Sequence, residues 1–431
     1  MTFLIEFLGC KVNSYEVEAA AKEFKSHGYA FFDVNKDKEP DVIIINTCAV
    51  TETSVTKDKK VIKRFRKSYP NAVIFVMGCY SQYKADYIVN ELGADIAIGT
   101  SHRNQIFQLV EQYFKDNKKI ILHDDHNSIK KYEDMSVDKF LFNTRAYVKI
   151  QDGCNNFCSY CLIPYVRGRS RSRTKEDVLD EINTLIKNGH HEIVLTGIDM
   201  SSYGLDLNPQ VNFSDLIEYI LLNAHNLYRL RISSLEESQI DDKFLELLNK
   251  YEKLADHLHI PLQSGSEEVV KRMNRKYNLD GFIEKIDRIR NIRPNISITT
   301  DVIVGFPGET EENFLETFNT CEKIAFSKIH VFPYSSREGT VASKMKDQIP
   351  QVIKKERVHR LLKLSEKLEN EYAERFYNHE FEFLFEEYDA KLCAYKGHSS
   401  NYLECFIKSS EDLHGVVKKV TLTKENIIHF N

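Results

Sequence analysis

No apolar run in this chain of 431 residues approaches the ~18 residues that a membrane-spanning helix needs. The opening Met1-Thr2-Phe3-Leu4-Ile5-Glu6 lacks a basic stretch, a long apolar core and a cleavage site, so it does not read as a secretory signal. Strong charge of one sign is missing too. A formal charge of −5 excludes a globally basic coat for nucleic acid, so any such binding must use local patches. The cysteines, nine in number, cannot all pair with one another. An odd count argues for a reducing compartment and metal chemistry over a disulfide framework. A cytoplasmic location is therefore expected.

What is present is ordinary globular composition, 42% hydrophobic and 29% charged, in a length that suits two to four domains. The feature around which the rest is organised is Cys154-Asn155-Asn156-Phe157-Cys158-Ser159-Tyr160-Cys161. Three close thiolates suit an iron–sulfur cluster better than structural zinc, which normally takes four nitrogen or sulfur ligands. A cubane held by three cysteines leaves one iron open for chemistry.

Upstream, strands and helices alternate. Residues 3–8, 41–46, 72–77 and 95–98 read as strands, and the unbroken apolar run Val42-Ile43-Ile44-Ile45 marks a strand buried on both faces of a parallel sheet. Residues 15–27 and 57–68 read as helices. This predicts a doubly wound α/β domain. Cys10, Cys48 and Cys79 each follow one of its strands. Ligands in open parallel sheets bind outside the carboxyl ends of the strands, so these three can converge although 37 and 30 residues separate them along the chain. Taken singly, each reads equally as a small buried hydrophobe. Residues 123–144 are polar and aperiodic, a linker whose His123 and His126 read as part of a solvated loop.

Downstream, six more strands are expected at 146–150, 192–196, 228–232, 257–260, 297–304 and 328–332, with helices at 174–187, 213–223, 241–251, 280–291 and 311–324. Six β/α units make a partial barrel whose chemistry lies at the strand carboxyl ends. A long helix, 351–376, leads to short alternating strands at 379–385, 391–396, 402–407, 416–423 and 427–430, which suggest a small β-barrel. Cys321, Cys393 and Cys405 read as core residues.

The triplet within Gln151-Asp152-Gly153-Cys154 through Cys161 matches the radical S-adenosylmethionine (SAM) signature. With Cys10, Cys48 and Cys79, the chain resembles the radical-SAM methylthiotransferases along essentially its whole length. The resemblance implies three domains: residues 1–122 for a cluster-binding α/β domain, 145–370 for a radical-SAM partial barrel and 371–431 for an all-β TRAM barrel, with 123–144 as linker. Tyr395-Lys396-Gly397-His398 looks like the TRAM loop. Two [4Fe–4S] clusters and SAM are implied as cofactors. Cys154, Cys158 and Cys161 should hold the radical cluster, where one electron cleaves SAM to methionine and a 5′-deoxyadenosyl radical. Cys10, Cys48 and Cys79 should hold the second cluster, which carries the sulfur. Gly197, Ser234 and Gln263, at barrel strand ends, are expected to touch SAM.

Gly9-Cys10-Lys11-Val12-Asn13 is similar to the subfamily that adds methylthio at C2 of N6-threonylcarbamoyladenosine at position 37 of tRNA, which makes the anticodon stem-loop the expected partner. The alternatives are isopentenyladenosine 37 and an aspartate of a ribosomal protein. Two basic groups bear on the choice. Seven cations fall among residues 57–67, and Arg167, Arg169, Arg171 and Arg173 follow the cluster motif; cations beside a reactive centre suit phosphate contacts. The first group reads equally as a solvated helix face. Residues 371–431 point the other way, with seven Lys/Arg against eleven Asp/Glu, which would suit a basic protein substrate. The enzyme is expected to act as a monomer with no membrane contact, and its sulfur and electron donors stay unidentified.

Overall fold

The computed structural model describes residues 1–428. Its first layer is a six-stranded, wholly parallel sheet. In chain order it contains β1 (Thr2–Phe7), α1 (Lys11–Ser26), β2 (Ala30–Phe31), β3 (Val42–Thr47), α2 (Glu52–Ser68), β4 (Val73–Gly78), α3 (Cys79–Glu91), β5 (Ile96–Ile98), α4 (Ile106–Asp116) and β6 (Ile120–Leu122). The strand order is β2-β1-β3-β4-β5-β6. Alternate residues of the central strands feed separate cores. Ile43, Ile45, Ile74 and Val76 pack with α2 and α3, whereas Val42, Ile44, Val73, Phe75 and Met77 pack with α1 and α4. A strand with a core on each side has no polar face, which is why its sequence shows no alternation.

Two helix starts differ from the sequence expectation. Helix α1 begins at Lys11, directly after Cys10 as its N-cap, four residues before the apolar period becomes visible. Helix α3, which no period announced, begins at Cys79 and carries a kink at Lys84 (φ −143°, ψ 41°) that breaks its repeat. Both shifts place a cysteine at a helix N-terminus.

Residues 123–145 contain no strand or helix, yet they are strapped to the next layer, with Val137 and Phe140 inside its core. That layer opens with β7 (Ala146–Lys149), a short antiparallel ribbon of β8 (Gln151–Asp152) and β9 (Arg171–Ser172), and α5 (Ile163–Val166) between the ribbon strands. It continues with α6 (Lys175–Lys187), β10 (Glu192–Thr196), α7 (Phe213–Asn223), β11 (Arg229–Ile232), α8 (Asp242–Lys250), β12 (His257–His259), α9 (Glu267–Arg272), α10 (Leu279–Ile292), β13 (Ser297–Val304), α11 (Glu311–Ile324) and β14 (Lys328–Pro333). Strands β7, β10 and β11 pair in parallel, as do β12, β13 and β14. The Leu235 N–H donates to His259 O at 2.8 Å across the join. The six strands thus follow chain order in an open half-barrel. Helices α6, α7 and α11 start on side-chain caps from Thr174, Asn212 and Thr310, the acceptor chemistry that satisfies orphan N–H groups.

Helix α12 (Gln351–Glu374) packs on β14 and leads to an antiparallel sheet, order β17-β16-β15-β18, formed by β15 (Glu380–Asp389), β16 (Ala394–His398), β17 (Glu404–Ile407) and β18 (Val417–Thr421). Ile427 bridges Cys405; the strand expected at 427–430 ends on residues 429 and 430, which lie outside the described residues. No described helix is long and apolar enough to cross a membrane.

Candidate metal centre and substrate cavity

The Cys154–Cys161 loop leaves β8 at the carboxyl side of the half-barrel. Gly153 turns the chain at φ +76°, and a Cβ there would stand 2.0 Å from Arg169 O, so no other residue fits. The loop is pinned at both ends: Cys154 N donates to Gly168 O (3.0 Å) and Ser159 N to Met273 O (2.9 Å). Within it, Asn156 N donates to Cys154 Sγ and Ile163 N to Cys161 Sγ, both at 3.4 Å. The Arg275 guanidinium lies 3.9 Å from Cys158 Sγ. Burial pushes the Cys154 thiol up and the Cys161 thiol to about 12, because a bare thiolate is poorly solvated there. A coordinating metal reverses that preference by deprotonating the thiol outright.

The second triad comes from three strand ends of the first sheet. Cys10 caps α1 and is exposed, Cys48 follows β3 and is buried, and Cys79 follows β4 and is buried. Glycine permits the approach. A Cβ on Gly9 (φ +120°) would lie 2.9 Å from Cys48 Cβ, and one on Gly78 (φ +101°) would lie 2.2 Å from Asn46 Oδ1. The Cys48 thiol is raised to about 12, by burial first and then by Cys79. Cys161 also lies within electrostatic range of Cys79, so a member of one triad is near a member of the other. All six cysteines are free thiols.

Among the described residues no three His, Cys, Asp or Glu side chains close on a point as ligands of a single ion do. A cubane asks for less, since each thiolate holds a different iron. An all-thiol donor set with guanidinium groups beside it fits an anionic iron–sulfur cluster at each triad.

Sequence reasoning missed what joins them. Arg167 is fully buried. Its Nε donates to Cys79 Sγ at 3.1 Å, and its terminal nitrogens reach Glu16 at 2.9 Å, Asp152 at 3.0 Å and Asn13 at 3.2 Å. Glu16, on α1, also binds Arg103 and Lys149. Asp152, on β8, binds Lys149 (2.6 Å), Arg103 (3.1 Å) and Arg171 (3.6 Å). These cations hold both carboxyls below the usual carboxylate range against the opposing effect of burial.

Phosphate contact by the arginine run is therefore corrected for three of its four members. Arg167, Arg171 and Arg173 are buried, the last paired with Glu181. Buried guanidiniums already committed to carboxylates cannot also neutralise a solvent-borne phosphate. Arg169 is exposed, its guanidinium 4.5 Å from the Phe157 ring centroid, and remains available. On α2, Lys57, Lys60, Lys63, Arg64 and Lys67 are exposed, while Arg66 is committed to Asp95 and the Gly93 carbonyl.

A cavity of about 630 Å³ opens where the three layers meet, within the ~300–1,000 Å³ range of small-ligand sites. Cys10 and Lys11 line it from the first layer, Gly197, Ser234 and His259 from the barrel, and Tyr402 from the connection between β16 and β17. Gln263 does not. At φ +61° it extends the sheet past β12, its N–H on Asp301 O and its carbonyl accepting from Ile303 N, both at 2.8 Å. Tyr402 is held by Arg145, whose Nη1 donates to its hydroxyl at 2.7 Å, and stacks on His257 with ring centroids 4.4 Å apart.

Comparison with known proteins adds the following. Residues 148–321 match the radical SAM superfamily, and residues 2–99 match the family described as Uncharacterized protein family UPF0004. The chain is 42% identical to the threonylcarbamoyladenosine tRNA methylthiotransferase MtaB of Bacillus subtilis (strain 168), over 98% of this chain and 94% of that one. It is 37% identical to a tRNA-2-methylthio-N(6)-dimethylallyladenosine synthase of Clostridium botulinum (strain Loch Maree / Type A3), over 84% of this chain and 81% of that one. In fold it is similar to the radical SAM methyltransferase TsrM of Kitasatospora setae, with a TM-score of 0.60 at 13% identity, covering 79% of this chain and 77% of that one.

Proposed function

The chain belongs to the radical-SAM tRNA methylthiotransferases, and from that premise we propose that it adds a methylthio group to C2 of N6-threonylcarbamoyladenosine at position 37 of tRNA, using two [4Fe–4S] clusters. The observation that carries the substrate is the 42% identity to a threonylcarbamoyladenosine enzyme along 98% of the chain. The match to a dimethylallyladenosine enzyme is lower and shorter, at 37% over 84%. The ribosomal-protein alternative, which rested on the acidic tail, yields to tRNA relatives on both counts.

In this reading Cys154, Cys158 and Cys161 hold one cluster and Cys10, Cys48 and Cys79 the other. Bound together, the radical cluster and SAM supply one-electron C–H activation, chemistry that belongs to the cofactor. The protein supplies position and charge. Arg167 sets a cation against Cys79 and fixes the first layer to the loop of the second. Gly197 and Ser234 give the cavity wall close approach and a hydroxyl at strand ends, where SAM would lie. Exposed cations of α2 and Arg169 offer contacts for the phosphates of the anticodon stem-loop, which position RNA without reading its sequence. With bacterial tRNA enzymes as its relatives, this reading places the protein in the cytoplasm.

Nucleoside mass spectrometry of tRNA from a deletion strain tests the substrate. The expected result is loss of the 2-methylthio form of N6-threonylcarbamoyladenosine and accumulation of its precursor. Persistence of that nucleoside, with no second such enzyme in the strain, rejects the assignment; loss of the isopentenyl counterpart instead would transfer it.

A further inference from the structure

Among the charged residues of the cavity wall, one cation stands apart. Arg145 and Arg231, which brace Tyr402, are paired with Glu386 and Glu192, each at 2.6 Å. His259 faces Asp301 at 3.4 Å and Lys328 faces Glu369 at 3.5 Å. Glu404, on the same wall, has His398, Lys328 and Arg145 as its cationic neighbours. Lys11 differs. It is half-buried and lines the cavity, and among the described residues it has no hydrogen-bond or ion-pair partner. Its titratable neighbours are Tyr402, Arg145, Arg231 and Cys10, so two of the four are themselves cations and none is a carboxylate. Withdrawing an ammonium from water beside like charges is costly unless an anion joins it.

The position narrows what that anion is. Lys11 directly follows Cys10 of the second triad and lines the same cavity, so a substrate anion that meets it lies on the base that the cavity would receive. We propose that the Lys11 ammonium reads the free carboxylate of the substrate's N6-threonylcarbamoyl group and is the residue that sets specificity for it. This rests on the substrate proposed above. An isopentenyl group has no anion to offer, and its apolar chain would leave the ammonium unpaired.

Two stem-loop RNAs test this with the cluster-loaded enzyme at fixed salt. Both carry N6-threonylcarbamoyladenosine at position 37, one with its carboxylate and one with that group as the neutral carboxamide. The wild type is expected to bind the carboxylate form about 10- to 100-fold more tightly, the range for a charge-assisted hydrogen bond. Lys11→Met should bring the two affinities together without weakening the carboxamide form, and Lys11→Arg should keep most of the preference. Iron content and carboxamide-form affinity report whether the variants are intact. If the methionine variant cannot be loaded, the wild type's response to the two RNAs and the arginine variant still decide. A Lys11→Met enzyme that keeps the full preference overturns the assignment of Lys11 alone. So does one whose requirement for SAM rises in cleavage without RNA, because the ammonium would then serve the SAM carboxylate. A wild type indifferent to the carboxylate overturns Lys11 and the substrate reading together.

Discussion

The buried network around Arg167 makes a prediction in which the sizes of two effects must differ. Four cations, Arg103, Lys149, Arg167 and Arg171, face three carboxylates, Glu16, Asp152 and Glu133. Burial keeps the Cys79 thiol protonated when no metal is bound, so the metal-free network carries one surplus positive charge. Removing a carboxylate enlarges the surplus. Glu16→Gln leaves four cations on two carboxylates and should cost about 3–5 kcal/mol, the usual loss when one member of a buried pair is removed. Arg167→Met leaves three on three. Its cost is confined to lost hydrogen bonds and packing, about 1–3 kcal/mol. Iron reverses the order of concern, because the Cys79 thiolate then needs the Arg167 cation. The methionine variant should therefore lose iron from the second triad more readily than the wild type. Urea unfolding of metal-free protein gives the first comparison; the chain has no tryptophan, so far-ultraviolet circular dichroism is the probe. Iron and sulfide content after mild chelation gives the second. An Arg167→Met protein that is as unstable as Glu16→Gln without metal, and holds iron as tightly as wild type, would refute this charge argument.

Two further outcomes are expected. Cys154→Ala should abolish SAM cleavage, whereas Cys48→Ala should leave cleavage measurable and stop methylthio insertion; product analysis showing both activities lost in both variants would mean that the triads do not act separately. Glu18 is buried and accepts N–H bonds from Leu141 and Phe142, and burial, outweighing those bonds, raises its carboxyl to about 7 from an ordinary value near 4.5. A raised folded-state value means that the protonated form is favoured on folding. Its contribution is full below about pH 4.5 and is lost as pH rises through about 7. Unfolding midpoints of Glu18→Gln should accordingly fall less than those of the wild type between about pH 5 and about pH 8, and parallel curves would show that Glu18 does not titrate there.

The parts legible in the sequence share a physical cause: their signal is local. The run Val42–Ile45 is apolar on consecutive residues because each face of its strand meets its own core. The cluster loop is legible because its three thiols lie within eight residues. The three strand-end cysteines needed one further step, the rule that parallel sheets bind at their carboxyl ends. The arginines failed that standard. Exposure of a guanidinium depends on where carboxylates lie in space, and Glu16 is 151 positions from Arg167. One local clue did exist. Glu16 sits four residues after Val12 and four before Ala20 on α1, on a stripe that is otherwise buried and small or apolar. A carboxylate on such a stripe demands a buried cation, and that demand points to a partner even where it cannot say which.

The same asymmetry explains how one short helix start can carry two roles. Cys10 and Lys11 are adjacent, so what holds one fixes the other. The network through Glu16 ties α1 to the barrel on the side of the cluster loop, and Tyr15 ties it again through the Met135 carbonyl at 2.7 Å. With α1 anchored at both points, its first residues are presented to the cavity by a rigid element rather than a loop, which is the more exact way to place a binding group. A substitution that loosens the anchor without touching the cavity, such as Tyr15→Phe, should then weaken discrimination of the substrate carboxylate while leaving the thiols themselves intact. The strand ends bring the cysteines together, and the buried ion pairs hold the neighbouring lysine where a substrate anion could meet it.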